Sequence, residues 1–222
     1  MQQFATPAAI TAVVEIPAGH LRLIATDRTD TVVEVLPANP KKDRDVRAAE
    51  QTEVVFADGV LRIVTASGQH RLLGPTGALE VTVQLPAGSR IEAKSADTEL
   101  TGVGRLGEVA FESARGTIKL DEAAGGWLVL QAGSIEVGRL TGSAKLDTQS
   151  GDLTVTEAVS GELALTTQSG SITVGAARGV SASLDAGTGH GRIHNALRNA
   201  DDVPGLAIRA TTMNGDITAR TV

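Results

Sequence analysis

The 222-residue chain contains no cysteine and no tyrosine, and its only aromatic residues are three phenylalanines and one tryptophan. Without cysteine, a disulfide framework, a thiolate nucleophile and a cysteine zinc site are excluded. Bulky rings usually build the cores of sandwiches and the walls of large pockets. Their scarcity therefore favours a narrow interior filled with Leu, Ile, Val and Ala.

The sequence also lacks an excess of positive charge and a long apolar run. Its net charge is −6, and the basic residues at 41–47 alternate with acidic ones, as is typical of a solvated loop or short helix. No nucleic-acid partner is expected. Residues 1–6 have neither the charged nor the apolar region of a signal peptide, and no stretch is long enough to span a bilayer. The sequence as given predicts a cytoplasmic protein without a membrane segment, and a cell-surface location would require a leader that precedes it.

A Gly-polar-aliphatic-polar-aliphatic block recurs through the C-terminal two thirds of the chain. It begins at Gly116, Gly133, Gly151, Gly170 and Gly215. The first aliphatic residue of each block, or of a looser equivalent, serves as a marker and falls at Leu100, Ile118, Ile135, Leu153, Ile172, Ile193 and Ile217. The spacing is about 18 residues and widens toward the C-terminus. A repeat of this length is typical of a solenoid.

A second alternating run precedes each block, for example Leu163-Ala164-Leu165 before Gly170. Alternation at period two predicts strands with one buried face, and the glycines supply tight corners. About 18 residues at about 3.3 Å each form a closed coil with room for three short strands and no pore. The sequence therefore predicts an all-β fold, a single-stranded parallel β-helix (β-solenoid) of about 18 residues per rung. In such a coil the corners that begin at Thr148, Thr167 and Thr212 stack as polar ladders, which we interpret as structural.

Length and composition predict a single β-solenoid domain covering residues 1–222. Residues 79–222 would form the regular rungs, and residues 1–78 an irregular β-rich N-terminal cap with one short helix near 43–51 and a loop at 66–77. A cap is needed because an open parallel edge recruits other chains. The segment 14–19 recurs at 83–88, which predicts that the two segments start related units.

The corner pattern Thr-x-Ser-Gly-Asp-Leu/Ile-Thr-Val occurs together with residues 45–52, a strand at 54–56 and the turn Ala57-Asp58-Gly59. This combination resembles the bacterial putative-adhesin family of β-strand-repeat proteins of unknown function, especially its actinobacterial members. The resemblance covers nearly the whole chain. It implies similarity to right-handed parallel β-helix proteins and a role in surface attachment, and it supplies no catalytic motif.

Two pairs of residues suggest metal binding without fitting it. His190 and His194 would lie about 13 Å apart on an extended strand, too far for one metal ion. Asp152 and Asp216 follow corner glycines as in calcium-binding β-rolls, but the nine-residue spacing of those repeats is missing. No catalytic, metal or cofactor-binding residue is therefore assigned.

Three further features are open to two interpretations. Lys119 and Glu136 share the outward position of neighbouring repeats, where an ion pair between rungs is more common than an acid–base couple. Residues 187–191 are glycine-rich like a phosphate loop but lack its lysine and helix, so a long corner with positive φ is predicted. Trp127 either anchors a partner or covers the corner of a rung.

The repeat and the lack of recognisable chemistry together predict a non-enzymatic scaffold or adhesin-like interaction protein. Its partner would be another protein or a second copy of the chain. One alternative is a polysaccharide-binding or polysaccharide-active β-helix that uses the exterior residues Lys119, Glu136 and Trp127. Another is a polymer that grows end to end, like bactofilin solenoids.

Overall fold

A computed structural model describes residues 1–66, 77–198 and 205–222. These residues form one helix, α1 (Asp43–Glu50), and a single sheet of 18 strands. The strands of the N-terminal half are β1 (Gln2–Ala5), β2 (Thr11–Glu15), β3 (Ala18–Thr26), β4 (Asp30–Pro37), β5 (Thr52–Ala57), β6 (Val60–Thr65), β7 (Leu79–Pro86) and β8 (Arg90–Arg115). Those that follow are β9 (Ile118–Ala132), β10 (Ile135–Leu140), β11 (Ala144–Ser150), β12 (Leu153–Ala158), β13 (Gly161–Ser169), β14 (Ile172–Ala176), β15 (Ala182–His190), β16 (Ile193–Ala196), β17 (Leu206–Asn214) and β18 (Ile217–Thr221). The loop predicted at 66–77 lies, apart from its two ends, outside the described residues.

Most strands pair in parallel in two stacks that the chain visits alternately. In the first stack the repeat markers are successive register partners, in the order Leu100, Ile118, Ile135, Leu153 and Ile172. In the second stack the alternating runs pair in the same way, in the order Phe111, Leu128, Leu146 and Leu165. The prediction that these repeats lie on top of one another is confirmed. Each repeat from β10 to β13 contributes two strands, however, not three.

The core consists of the inward side chains of both stacks. Alternation buries Leu153 and Val155 completely and leaves Thr154, between them, on the outer side. Among the described residues, Phe111 is the one aromatic side chain of the fully buried apolar core, and the other apolar core side chains are aliphatic. Burial of each such side chain contributes about 1.5–3 kcal/mol. An enclosed gap of about 10 Å³ beside Gly126 is no larger than one water molecule, so the core there is packed.

The last two repeats are not stacked in the order of the sequence. β14 pairs with β18, which places Ile217 beside Ile172. β16 pairs with the other side of β18, so Ile193 lies outside Ile217. β17 is likewise inserted between β13 and β15. The repeat at 212–219 keeps the regular Thr-x-x-Gly-Asp-Ile-Thr pattern, whereas the repeat at 188–195 departs from it. The regular repeat therefore packs against its regular neighbours, and the irregular one takes the end.

A similar exchange occurs near the N-terminus. β2 lies between β6 and β8, and β3 lies between β7 and β8, all in parallel. The segment 11–26, assigned from the sequence to the cap, is therefore part of the parallel stacks. The prediction that segments 14–19 and 83–88 start related units is wrong, because Val14 pairs with Ala93 whereas Val83 pairs with Leu23 in the other stack. Similar sequence here reflects a common strand-to-corner transition and not an equivalent place in the coil.

Antiparallel strands and one helix lie at this N-terminal end. β4 pairs with β1 and β7, and β5 pairs with β6. The rings of Phe4 and Phe56 pack with their centroids 5.5 Å apart. Helix α1 lies in the segment predicted to be helical, and its buried Asp45 accepts a hydrogen bond of 3.0 Å from the Ala78 amide. This bond fixes the helix to the start of β7.

Candidate functional site

The Thr-x-Ser corners form a hydrogen-bonded ladder between repeats. Thr148, Thr167 and Thr212 are buried and are register partners in that order, as predicted. Their hydroxyls donate to the carbonyl oxygens of the neighbouring corners at 3.0–3.1 Å, and the acceptors are Gly133, Gly151 and Gly170. Thr188 extends the ladder to Gly215 at 3.0 Å. The threonines therefore hold the rungs together, and the two residues that follow each threonine, such as Gln168 and Ser169, face solvent.

Asp152 and Asp216 bind the backbone of the adjacent repeat. Asp152 Oδ1 accepts the Ser171 N–H at 2.7 Å. Asp216 Oδ1 accepts the Arg192 N–H at 2.8 Å, and its Oδ2 pairs with the Arg192 guanidinium at 3.2 Å. Two hydrogen bonds hold the pKa of Asp216 below its ordinary 3.8. The bond from the Arg192 backbone N–H has the larger effect, and the bond from the Arg192 guanidinium has the smaller one. These carboxylates act as links between rungs, where a β-roll would use them as calcium ligands.

His190 and His194 do not lie beside other possible metal ligands among the described residues. His190 is the register partner of Asn214, and His194 that of Thr218. Both side chains are exposed. In the described part of the chain, no three His, Cys, Asp or Glu side chains are grouped as a metal site would require.

The glycine-rich segment 187–191 is not the corner that the sequence predicts. Gly187 and Gly189 are strand residues of β15, and neither they nor Gly191 has φ in the left-handed region. The predicted long corner with positive φ is therefore wrong. Gly191 lies under the next corner, where an added Cβ would be 2.0 Å from the Gly215 carbonyl oxygen. Close approach of two backbones, and not a special φ, requires glycine there.

Opposite charges pair between repeats along the outer surface. Lys119 Nζ lies 3.1 Å from Glu136, and the Arg90 and Arg139 guanidiniums pair with the next repeat's carboxylates at 2.6 and 3.2 Å. These side chains are between 33% and 68% exposed, so each pair contributes at most about 1 kcal/mol. Lys119 and Glu136 thus form the ion pair between rungs that their positions predict.

One outward row of the second stack differs from these charged rows. It consists of the consecutive register partners Ala110, Trp127, Lys145 and Ala164, and we call it the Trp127 face. Trp127 is 40% exposed and lies on the strand face, not over a corner. Lys145 is exposed and has no ion-pair partner among the described residues. Trp127 and Lys145 therefore occupy adjacent positions of this row, with a small alanine on either side of the pair.

The sequence provides no signal for an open depression of about 620 Å³ at the C-terminal end. It is lined by Arg178, Ala196, Leu197, Arg198, Arg220, Thr221 and Val222, and Arg178 Nε donates to the Val222 carbonyl oxygen at 3.2 Å. The three arginines come from separate repeats, so no motif connects them. The lining residues include no Asp, Glu, His or Cys side chain that could act as an acid, base or nucleophile.

None of the helices that the structure describes is long and apolar enough to cross a lipid bilayer.

Comparison with known proteins gives one family and several similar structures. The family model described as Toastrack DUF4097 matches residues 18–221. No curated protein matches the chain. The chain is similar to a putative adhesin from Bacteroides fragilis, with 14% identity, coverage of 100% of this chain and 95% of that one, and a TM-score of 0.49. For a putative adhesin from Parabacteroides merdae the identity is 10%, the coverage 98% and 94%, and the TM-score 0.45. For a putative lipid binding protein from Parabacteroides distasonis the identity is 10%, the coverage 98% and 95%, and the TM-score 0.41.

Proposed function

The chain belongs to the Toastrack DUF4097 family, and from that premise we propose that it is a non-enzymatic scaffold that binds a partner protein through its outer surface. The observation that carries this proposal is the contrast between interior and exterior. The core is packed, and among the described residues every buried side-chain nitrogen or oxygen has a hydrogen-bond partner. The side-chain groups that a ligand could contact therefore lie on the outward rows, which are flat and regular.

The architecture that we propose for this scaffold is a right-handed, single-stranded parallel β-helix of about 18 residues per rung, with the antiparallel strands at the N-terminal end as its cap. Register differences of 17–19 residues between markers, as between Ile118, Ile135, Leu153 and Ile172, support the rung size. The corner pattern supports the closer relation to actinobacterial members of the family.

The Trp127 face is the surface we assign to the partner. Tryptophan is among the residues that contribute most to binding when a partner covers them, and the small side chain of the neighbouring Ala110 leaves the indole accessible. Lys145, which has no ion-pair partner in the part of the chain that the structure describes, favours a partner surface that combines an apolar patch with a carboxylate. Among the described residues, the outward rows that contain paired charges, such as Lys119 with Glu136, do not place an exposed aromatic ring beside a free ammonium group.

The outward rows and the depression at the C-terminal end also support a function without catalysis. A β-helix enzyme needs an acid, a base or a metal at a cleft. Lys119 and Glu136 neutralise one another at 3.1 Å on an open face, and the depression at the C-terminal end is lined by arginines and apolar side chains. The arrangement suits binding better than turnover.

Photo-crosslinking tests the proposal. A photoreactive amino acid at Trp127 should capture a partner in the native host, whereas the same group at the exposed corner residue Gln168 should not. The captured protein, once purified, should bind the wild-type chain at least tenfold more tightly than Trp127→Ala. Equal capture at both positions, or equal affinity for both variants, would contradict a partner at this face.

A polysaccharide is the second candidate ligand, and the exposed indole on a flat face is the observation that favours it. In that case the wild-type chain should bind on a glycan array, and Trp127→Ala should lose the binding. A change of Lys119 or Glu136 that abolished the binding instead would place the ligand on the charged row of the first stack. Release of products from a bound glycan would overturn the non-enzymatic assignment.

A further inference from the structure

Two charged side chains beside Trp127 differ from the other outward charges of the second stack. Lys145 and Asp147 lie two residues apart on the outer side of β11, and neither has an ion-pair partner among the described residues. Elsewhere on this surface a charge is commonly balanced by the next repeat, as Lys94 is by Glu112 at 3.8 Å. Strand β11 therefore carries a positive and a negative group that the neighbouring rungs do not neutralise.

Asp147 belongs to a second outward row that runs beside the Trp127 face. We call it the Asp147 row, and it consists of the consecutive register partners Glu112, Val129, Asp147 and Thr166. Each of its members lies two residues after a member of the Trp127 face, so the two rows are about 6.6 Å apart. Val129 is half-buried and follows Trp127 on the outer side of β9. Across the two rows, an apolar pair on β9 is therefore followed by a charged pair on β11.

The two rows are complementary to each other under a two-fold axis. If a second copy faces the first, with the axis parallel to the solenoid and between the rows, each rung meets the same rung of the second copy and the rows exchange places. Lys145 then lies opposite the partner subunit's Asp147, and Asp147 lies opposite the partner subunit's Lys145. Trp127 and Val129 exchange in the same way. Four residues of each copy thus supply two ion pairs and two apolar contacts.

The adjoining rungs fit the same arrangement. On the rung before β9, Ala110 meets the partner subunit's Glu112, so that carboxylate faces no like charge. One rung earlier, the outward residues Glu92 and Lys94 meet the partner subunit's Lys94 and Glu92, which adds two attractions. On the other side, β13 contributes only uncharged residues to the two rows. Within the two rows, none of these rungs places equal charges opposite each other.

We propose that the partner bound by the Trp127 face is a second copy of the chain, which packs face to face against it as a symmetric dimer. This inference rests on the proposed function, because it names the partner of the same face. A second copy brings the apolar residue and the carboxylate that suit Trp127 and Lys145, in the matching order. A two-fold contact occupies the identical surface of both copies, so the assembly closes at two. Five rungs at about 4.8 Å each form a small contact, so the dimer should depend on concentration.

Charge reversal at two positions tests the proposal by sedimentation velocity between about 1 µM and about 1 mM. The wild-type chain should pass from its monomer mass of 22.8 kDa toward twice that mass as the concentration rises. Lys145→Glu places two carboxylates together at each contact, and Asp147→Lys places two ammonium groups together. Each variant alone should therefore weaken the dimer at least tenfold. An equimolar mixture of the two variants should dimerise again, because one copy of each restores opposite charges at both contacts.

A matched control reverses a charge outside the contact. Lys119→Glu changes a lysine on the outer side of the first stack and should leave the dimer unchanged. Recovery in the mixture also shows that both single variants are folded. A wild-type chain that is monomeric throughout, a mixture that stays monomeric, or dissociation by Lys119→Glu equal to that by Lys145→Glu would each overturn the proposal.

Photo-crosslinking separates the failure of this inference from the failure of the proposed function. With the photoreactive amino acid at Trp127, the purified chain should crosslink to the peptide that contains the partner subunit's Val129. Capture of a different protein in the native host by a chain that is itself monomeric would overturn the second copy as partner and retain the proposed function. Capture at Trp127 no greater than capture at Gln168 in both experiments would overturn both.

Discussion

The Thr212 hydroxyl donates a hydrogen bond of 3.0 Å to the carbonyl oxygen of Gly170, 42 residues earlier in the chain. This bond joins the corner after β17 to the corner between β13 and β14. The intervening repeat, β15 and β16, is displaced to the end of the solenoid. The ladder of corner threonines therefore follows the order of the rungs in space and not their order in the sequence.

Removal of this hydroxyl should destabilise the protein measurably. Thr212→Val keeps the shape of the side chain but leaves a carbonyl oxygen in the buried corner without its partner, at a cost of about 1–2 kcal/mol. Urea denaturation measures the free energy of unfolding. Thr211→Val, at the exposed neighbouring position, should change it by less than about 0.5 kcal/mol. Similar losses for both variants would show that the ladder bond is not the cause.

The exchanged order of the last repeats predicts unequal effects of two alanine substitutions. Ile217 is enclosed between Ile172 and Ile193, so Ile217→Ala should cost about 3 kcal/mol of unfolding free energy. Ile193 is half exposed at the end, so Ile193→Ala should cost less than about 1 kcal/mol. If the repeats were stacked in sequence order, Ile193 would be the enclosed residue and the two effects would be reversed.

The carboxylate of Asp216 should make stability depend on acidic pH. Its pKa in the folded state is below the ordinary 3.8, so its charge stabilises the fold above that value, and the contribution is lost as the pH falls through the lowered pKa. Wild type should therefore be more stable than Asp216→Asn at neutral pH, and the difference should shrink as the pH falls below 3.8.

Urea titrations of both proteins across this range test the pH dependence. The same substitution in an Arg192→Met background should have a smaller effect at neutral pH, because the guanidinium bond of 3.2 Å is already absent. A difference that grows as the pH falls would contradict the assignment.

Alanine substitution of corner glycines should destabilise the protein by amounts that depend on the space around each glycine. Gly133 has φ of 134°, and an added Cβ would lie 1.6 Å from the Gly116 carbonyl oxygen, so Gly133→Ala should cost more than about 3 kcal/mol or prevent folding. Gly59 has φ of 76° with nothing within 4 Å of an added Cβ, so Gly59→Ala should cost only about 1–2 kcal/mol. Thermal melting followed by circular dichroism compares the two, and equal melting temperatures would contradict the close approach of the rungs.

Much of the stacking can be predicted from residues that repeat. The markers from Leu100 to Ile172 recur at nearly constant spacing with apolar residues at every second position, and a closed coil is the arrangement that buries all of them. The pairing of Lys119 with Glu136 follows from the same register. These inferences hold because each contact joins residues one repeat apart.

The remaining features depend on contacts that spacing does not encode. The exposure of Trp127 depends on what its neighbours on both sides are, and only the register shows that these are Ala110 and Lys145. The arginines at the C-terminal depression come together because repeats from different parts of the chain end at one place. No pattern in the local sequence predicts the exposure of Trp127 or the grouping of these arginines.

By itself the sequence determined that the chain is all-β, that its core is aliphatic and that successive repeats pair in parallel, because side-chain alternation and corner glycines are local properties. Only the tertiary structure decided which repeats lie at the ends and which faces remain open. Which rung lies at each end depends on which repeats pack most favourably against one another. This packing depends on contacts and hydrogen bonds between distant residues, such as Thr212 with Gly170, and not on the order of the repeats in the sequence.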